Sequence, residues 1–421
     1  MSDSNETEVL IVGAGAAGLI LALSLKEIGV ECRVYEAVSE IREVGAGINL
    51  LPHAVKELDQ LGLIPALDEV AIRTKDASYF NHHGQHIYTE PAGEAAGYPW
   101  PQFSLHRGDM QVTFLNAVLD RLGPDSVVTG HRCTRVDQDE HGATAHFIDA
   151  DGNELPSARG KVIVGCDGIN SVIRKQFYPD EGPPVYSGLT IWRGVTPWQP
   201  MLSGANTVRI GWMNVGKLMV YPIRDNIDDD GNQLMNFVAT LERPQPDSYD
   251  WNSEAKLEDF FEPYSDWHFD WLDVPTLLKQ TEQYLVFPMV DRDPLPTWTF
   301  DRITMMGDAA HPMYPRGSNG AGQSILDARF MAGCIKRHGV SLEALQEYDR
   351  ERVPATGNVV LMNRANPPDT ILREVHERTG GEPFDRIEDV ISQEELAAIS
   401  NAYKEVAGFE VEALKQRPSF V

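Results

Sequence analysis

Residues 8–12 read Glu-Val-Leu-Ile-Val, and Gly13-Ala14-Gly15-Ala16-Ala17-Gly18 follows without a gap. No other stretch constrains the fold as tightly. A short unbroken apolar run marks a strand buried on both faces of a parallel sheet. From Ala17 to Ile28 small and apolar residues recur at helical spacing, Gly29 supplies the stop, and Val30–Tyr35 reads as the next strand, ending in Glu36. In this strand, turn, helix, strand unit each glycine has a task. Gly13 permits the tight turn, Gly15 lets the backbone approach a pyrophosphate, and Gly18 lets helix and strand pack closely. The helix start, with Ala16 and Ala17 in its first turn, presents free N–H groups to the anion. Glu36 is placed to accept hydrogen bonds from a ribose diol, with Ala37 beside it. The unit predicts dinucleotide binding without separating NAD from FAD.

A chain of 421 residues is too long for one small module, so two or three packed units are expected. Its formal charge of −27 repels phosphate backbones and anionic lipids, which argues against nucleic acid or a membrane as partner. The acids are spread along the chain, as in a solvated surface; adaptation to salt is the sharper alternative. Cys32, Cys133, Cys166 and Cys334 form no C-x-x-C pair, and no histidine cluster has metal-ligand spacing, so no metal is expected. The acidic start, MSDSNETEV, is unlike a signal peptide, and no apolar run reaches the length of a membrane span. A reduced, cytoplasmic setting is expected.

Two later segments turn the reading toward FAD. Residues 162–168, Val-Ile-Val-Gly-Cys-Asp-Gly, read as a buried strand ending in Asp167-Gly168. Residues 302–312, Arg-Ile-Thr-Met-Met-Gly-Asp-Ala-Ala-His-Pro, read as another, ending in Gly307-Asp308. Asp308, at the mouth of the sheet, can bond a ribitol hydroxyl, and the glycine-rich loop after Pro315 opens a helix expected from about Gly322 to Arg337. Backbone N–H groups of Gly317, Asn319, Gly320 and Ala321 would then gather at a helix start whose dipole favours negative charge.

The order G-x-G-x-x-G, D-G, G-D-A-A-H-P, from about residue 7 to 365, resembles the class A, single-component FAD-dependent aromatic hydroxylases of the p-hydroxybenzoate hydroxylase fold. The segments SEIREVGAGIN (39–49), LHRGDMQ (105–111), TIWRGVT (190–196), FPMVDRDPLP (287–296) and YPRGSNGAGQSILD (314–327) look like its phenazine hydroxylase branch. The resemblance implies that Pro315 lies against the isoalloxazine, that the N–H groups of Gly317 to Ala321 face its pyrimidine edge, and that Arg107 reaches the cofactor phosphates. It implies that Arg42 with Gly45 and Gly47 belongs to the loop letting the ring move, that the Cys133 backbone meets adenine, and that Asp167 serves pyrophosphate and nicotinamide. It also implies NAD(P)H as a transient donor, since no second G-x-G-x-x-G follows a strand.

The expected architecture is α/β: a Rossmann-like FAD-binding domain in two parts (1–182 and 296–366), an inserted antiparallel-sheet substrate domain (183–295) and a short helical tail (367–421). Five strands, Leu189–Trp198, Thr207–Met213, Lys217–Arg224, Leu234–Leu241 and Tyr284–Val290, read as a meander. One face must meet the flavin, and Trp192, Arg209, Trp212, Tyr221, Phe237 and Met289 are the candidates for an aromatic pocket, although ordinary packing competes for each. The tail reads either as a cover or dimer contact or as a solvated extension.

No side-chain triad for hydrolysis stands out, so no catalytic residue is named and the flavin carries the chemistry. The expected activity is NAD(P)H- and O2-dependent hydroxylation of an aromatic or heteroaromatic acid through a flavin C4a-hydroperoxide, with or without loss of the carboxylate. The substrate is first a phenazine-like tricycle, second a salicylate- or hydroxynicotinate-like monocycle. A flavin-dependent halogenase and a redox-silent FAD-binding protein are the alternatives. The protein is expected as monomer or homodimer, with Arg42, Arg107, Arg174, Arg209 and helix N-termini attracting anionic ligands against the global field.

Overall fold

A computed structural model describes residues 6–41, 45–246, 254–365 and 367–421. The opening apolar run lies in the strand Glu6–Val12, whose Val9, Leu10 and Ile11 are fully buried. It runs parallel to Cys32–Tyr35 on one side and to Glu154–Gly165 on the other. Val127–Val128 and Ile303–Met305 extend the sheet on its two sides, also in parallel. Cover on both faces explains why the central stretches Val9–Val12 and Val162–Val164 are unbroken apolar runs. Helix Ala16–Glu27 is buried from Ala17 to Leu25 and packs against helices Arg107–Leu122 and Gly320–His338.

The second sheet has eight strands. The expected strands reappear as Val185–Trp198, Asn206–Ile210, Lys217–Arg224, Gln233–Glu242 and Tyr284–Asp291. The simple meander does not hold for all five. Residues 206–242 form a meander, but Val185–Trp198 pairs with Gln233–Glu242 and with Tyr284–Asp291. The connection 199–205 is long enough to pass two intervening strands, about 4.8 Å apart each. The hairpin Asp76–Phe80 and His86–Pro91, from before residue 183, joins at the far side, with Asp76–Phe80 parallel to Asn206–Ile210. One face of this sheet is sealed by Phe260, Tyr264, Trp267 and Leu277. The other looks across a cleft at the parallel sheet.

The tail is packed. On helix Thr370–Thr379, Ile371, Leu372 and Val375 bury against Tyr79 and Ile87. Helix Gln393–Ala407 and the following Phe409 and Leu414 bury against Leu51 and Tyr98. Of the two readings of the tail, the cover is what forms. Among the described residues no helix is long and apolar enough to cross a membrane.

Candidate active site

The cleft between the two sheets has a volume of about 370 Å³. Its floor is the glycine turn. A Cβ on Gly13 would stand 2.3 Å from the Cys166 carbonyl oxygen, and one on Gly18 would stand 2.0 Å from the Gly13 carbonyl oxygen. Backbone contacts that short exclude any side chain. Gly15 differs, because a Cβ there meets nothing within 4 Å. With Ala16 and Ala17 it lines the open cleft, where helix Ala16–Glu27 begins without a side-chain cap and with no acidic residue in its first turn. Glu36 secures the turn, its Oε2 accepting from the Ala14 N–H at 2.8 Å and its Oε1 from the Val38 N–H at 3.0 Å. Ala37, beside it, is half-buried.

Opposite stands the loop that opens helix Gly320–His338, two residues earlier than expected. Asp308 is exposed into the cleft, and Pro315, Asn319, Gly320 and Ala321 also line it. This helix too lacks a side-chain cap and a first-turn acid. Two uncapped, acid-free helix starts face one cleft in a chain of net charge −27, and they make a cradle for a polyanionic cofactor. Gly307 and its loop are fastened from behind by Asp327, whose Oδ2 accepts from the Gly307 N–H at 3.2 Å and pairs with His311 Nε2 at 2.5 Å. The Asp327 Oδ1 accepts from Arg352 Nε at 2.8 Å.

Arg107 begins helix Arg107–Leu122 and lines the cleft, while Gln111 of the same helix donates to the Ala14 carbonyl at 2.9 Å. Gly47 lines it as well. Its N–H donates to Asn236 Oδ1 at 2.7 Å, and its carbonyl accepts from the Arg193 guanidinium, tying the two units together. Gly45 packs beside Arg107, outside the main cleft. Arg42 lies outside the described residues. Asp167 is turned inward, its Oδ2 capping helix Val172–Phe177 through the Val172 N–H at 2.8 Å; burial raises its pKa, and its neighbours Cys166 and Gly168 line the cleft instead. Cys133 is buried away from the cleft, with its thiol pushed up to about 12 by burial.

The wall formed by the second sheet follows strand parity. Ile191 and Arg193, Lys217, Met219 and Tyr221, and Val238 and Thr240 all face the cleft. Residues of opposite parity face the other way, so two expected pocket residues are corrected. Trp192 stacks on Phe260 at 5.5 Å between ring centroids, and Phe237 lies in the same sealed core. Tyr221 and Met289 do line the cleft. Trp212 lies past the strand end, beside His82 and Leu372. Arg209 lines a separate chamber of about 70 Å³ under the tail, over the Tyr79 ring at 5.3 Å. Arg174 supplies no attraction to a ligand, being buried with its guanidinium on Glu181 and on the Ala310 carbonyl.

The positive charge at this wall comes from residues that sequence reasoning missed. Lys217 pairs with the fully buried Asp369 of the tail, which also meets Arg316 at 3.5 Å and Arg209 at 3.7 Å. Lys217 and Arg316 line the cleft, so two cations there share one carboxylate. Burial pulls the Lys217 amine down to about 8; Asp369 works against that shift, and Arg316 and Arg209 add to it. Asp369, which burial alone would raise, is held below the usual carboxylate range by the three cations.

A parallel sheet with a glycine turn at its mouth, facing a second sheet across a partly cationic cleft lined by apolar side chains and Tyr221, defines a dinucleotide-dependent enzyme of small molecules. The FAD binding domain family matches residues 6–209. The chain is 37% identical to the phenazine 1,6-dicarboxylic acid hydroxylase PhzS of Lysobacter antibioticus, over 96% of this chain and 98% of that one. It is 29% identical to the 3-amino-4-hydroxybenzoate 2-monooxygenase of Streptomyces cremeus, over 96% of each. The fold matches the crystal structure of Klebsiella pneumoniae HpxO complexed with FAD and uric acid, with a TM-score of 0.72 at 21% identity, over 98% of this chain and 97% of that one. The protein belongs to the FAD-dependent aromatic hydroxylases. It is a flavoprotein monooxygenase with FAD as cofactor and NAD(P)H as electron donor, and its relatives favour this reading over the halogenase and the redox-silent scaffold.

Proposed function

We propose that the cleft hydroxylates a planar aromatic or heteroaromatic carboxylate, docked against the second sheet with its acid group toward Lys217 and Arg316. The observation that carries this reading is the pair of cations sharing Asp369 in a wall that also presents Ile191, Met219, Tyr221, Val238 and Met289, with Arg193 and Thr240 beside them. A phenazine-like tricycle is the first substrate, in keeping with the substrate named for the Lysobacter relative, and a salicylate- or hydroxynicotinate-like acid is the second. Decarboxylation accompanies the reaction when the hydroxylated carbon bears the acid.

FAD would be held by the Gly13–Gly18 turn and the first helix start at its pyrophosphate, with Arg107 near the phosphates, Glu36 at the ribose and Asp308 at the ribitol. Pro315 and the loop through Ala321 would border the ring. When bound, FAD supplies electron transfer from NAD(P)H and activation of O2. The chain's own residues bind and orient the acid, and the sealed core behind the sheet helps keep water from it. The chain divides at 182/183, 295/296 and 366/367 into a split cofactor unit, a substrate sheet and a covering tail. It works in the cytoplasm as a monomer or homodimer, with no nucleic-acid or membrane partner.

Equilibrium binding of aromatic carboxylates and their carboxamides tests the docking. The acids should bind at least tenfold tighter, the equivalent of about 1.4 kcal/mol, and Lys217→Met should erase the difference. Equal affinity of acid and amide in the unmodified protein would reject it.

A further inference from the structure

We propose that Tyr403, in the carboxy-terminal tail, is a positioning residue for the flavin-edge loop and thereby sets how readily the bound flavin is reduced. The inference rests on the reading that residues 315–321 border the flavin.

The loop is held from behind by one phenol. The Tyr403 hydroxyl accepts from Asn319 Nδ2 at 2.8 Å and donates to Asn363 Oδ1 at 2.6 Å. Asn363 Nδ2 in turn donates to the Tyr314 carbonyl at 3.3 Å, so the phenol links both ends of the loop. A Cβ on Gly317 would stand 1.5 Å from the same hydroxyl oxygen, which makes glycine the residue that fits beneath it. Asn319, Asn363 and Tyr403 are all buried. Between Gly317 and Asn319 lies Ser318, which lines the cleft with φ of 54°. A left-handed non-glycine residue is strained and persists where its surroundings over-determine it. Here both of its neighbours are in contact with Tyr403. Burial raises the phenol's pKa further above the range in which it could ionise in a cell, so its donor and acceptor roles are fixed.

The loop's amides can favour negative charge on the flavin only while they hold their aim, and preorganised donors lose effect steeply when misplaced. Tyr403 keeps that aim from a segment lying outside both parts of the cofactor-binding unit.

The test compares FAD-loaded Tyr403→Phe with Tyr98→Phe. Tyr98 donates to the Phe409 carbonyl at 2.5 Å and ties down the same tail through a hydrogen bond that does not involve the loop. Three readouts are taken without substrate: thermal melting, the midpoint potential of bound FAD, and the anaerobic reduction rate at saturating NAD(P)H. Tyr403→Phe should fold and retain FAD, shift the potential to more negative values and slow reduction by about tenfold, while Tyr98→Phe matches the unmodified protein in potential and reduction rate. An unchanged potential in Tyr403→Phe, or an equal shift in Tyr98→Phe, overturns the proposal. If Tyr403→Phe does not accumulate, Asn363→Ser removes the phenol's acceptor and is judged by the same readouts. The potential is independent of any aromatic substrate. A shifted potential without hydroxylation would sink the proposed reaction alone, and hydroxylation with an unshifted potential would sink this inference alone.

Discussion

Lys217 of the substrate sheet and Asp369 of the tail, 152 positions apart, form a buried ion pair at the wall of the cleft. Burial pulls the Lys217 amine down to about 8, against the opposing pull of Asp369 and with a further push from Arg316 and Arg209, so Lys217 is charged below about pH 8 and neutral above it. An anionic substrate meets the full field only on the acid side of that value. Its KM should therefore rise above pH 8, approaching tenfold per pH unit. A pH profile of KM in Lys217→Met should lose this limb and start about ten- to a hundredfold higher, the equivalent of one charge-assisted hydrogen bond.

Gly15 and Gly18 separate cofactor binding from folding. Gly18→Ala drives a methyl into the Gly13 carbonyl and should lower the melting temperature of the apoprotein. Gly15→Ala has open space, so its apoprotein should melt as the unmodified one does while FAD binds at least tenfold more weakly. Melting curves with and without FAD check both.

Asp308→Ala removes the carboxylate exposed at the mouth of the parallel sheet. The purified protein should be largely colourless by its visible-to-ultraviolet absorbance ratio, with the apoprotein fold retained by circular dichroism.

Asp327 is fully buried between His311 and Arg352. Burial opposes its ionisation, and the two partners outweigh burial and hold its pKa below the usual carboxylate value. The stability it contributes is present above the unfolded-state pKa and is lost as pH falls through the lowered one. Asp327→Asn leaves Arg352 without its counter-charge and should cost about 3 kcal/mol in denaturant unfolding at neutral pH.

Much of the cofactor side was legible in the sequence because backbone geometry there demands particular residues. Gly13 and Gly18 can carry no side chain, and apolar runs such as Val9–Val12 belong to strands covered on both faces. The substrate wall was harder to read. Both faces of Val185–Trp198 are covered, so the alternation of Ile191, Trp192 and Arg193 carried no sign of which face met the cleft. Trp192 went to the sealed core, and Arg193 reached the Gly47 carbonyl. Lys217 had a local signal only as a charge at the start of an apolar strand, and its partner Asp369 lay in a tail whose run of acids suited a solvated extension equally well. Arg174 was expected to attract anionic ligands, yet Glu181, seven residues on, claims it.

Hydroxylation itself is tested most directly by incubating the FAD-loaded protein with NAD(P)H, isotopically labelled O2 and a panel of phenazine, salicylate and hydroxynicotinate acids. NAD(P)H oxidation and product mass are followed together. The expected result is acid-stimulated NAD(P)H oxidation with one labelled oxygen atom in the aromatic product, with or without loss of carbon dioxide. NAD(P)H oxidation that no acid stimulates, with no labelled aromatic product, would contradict it.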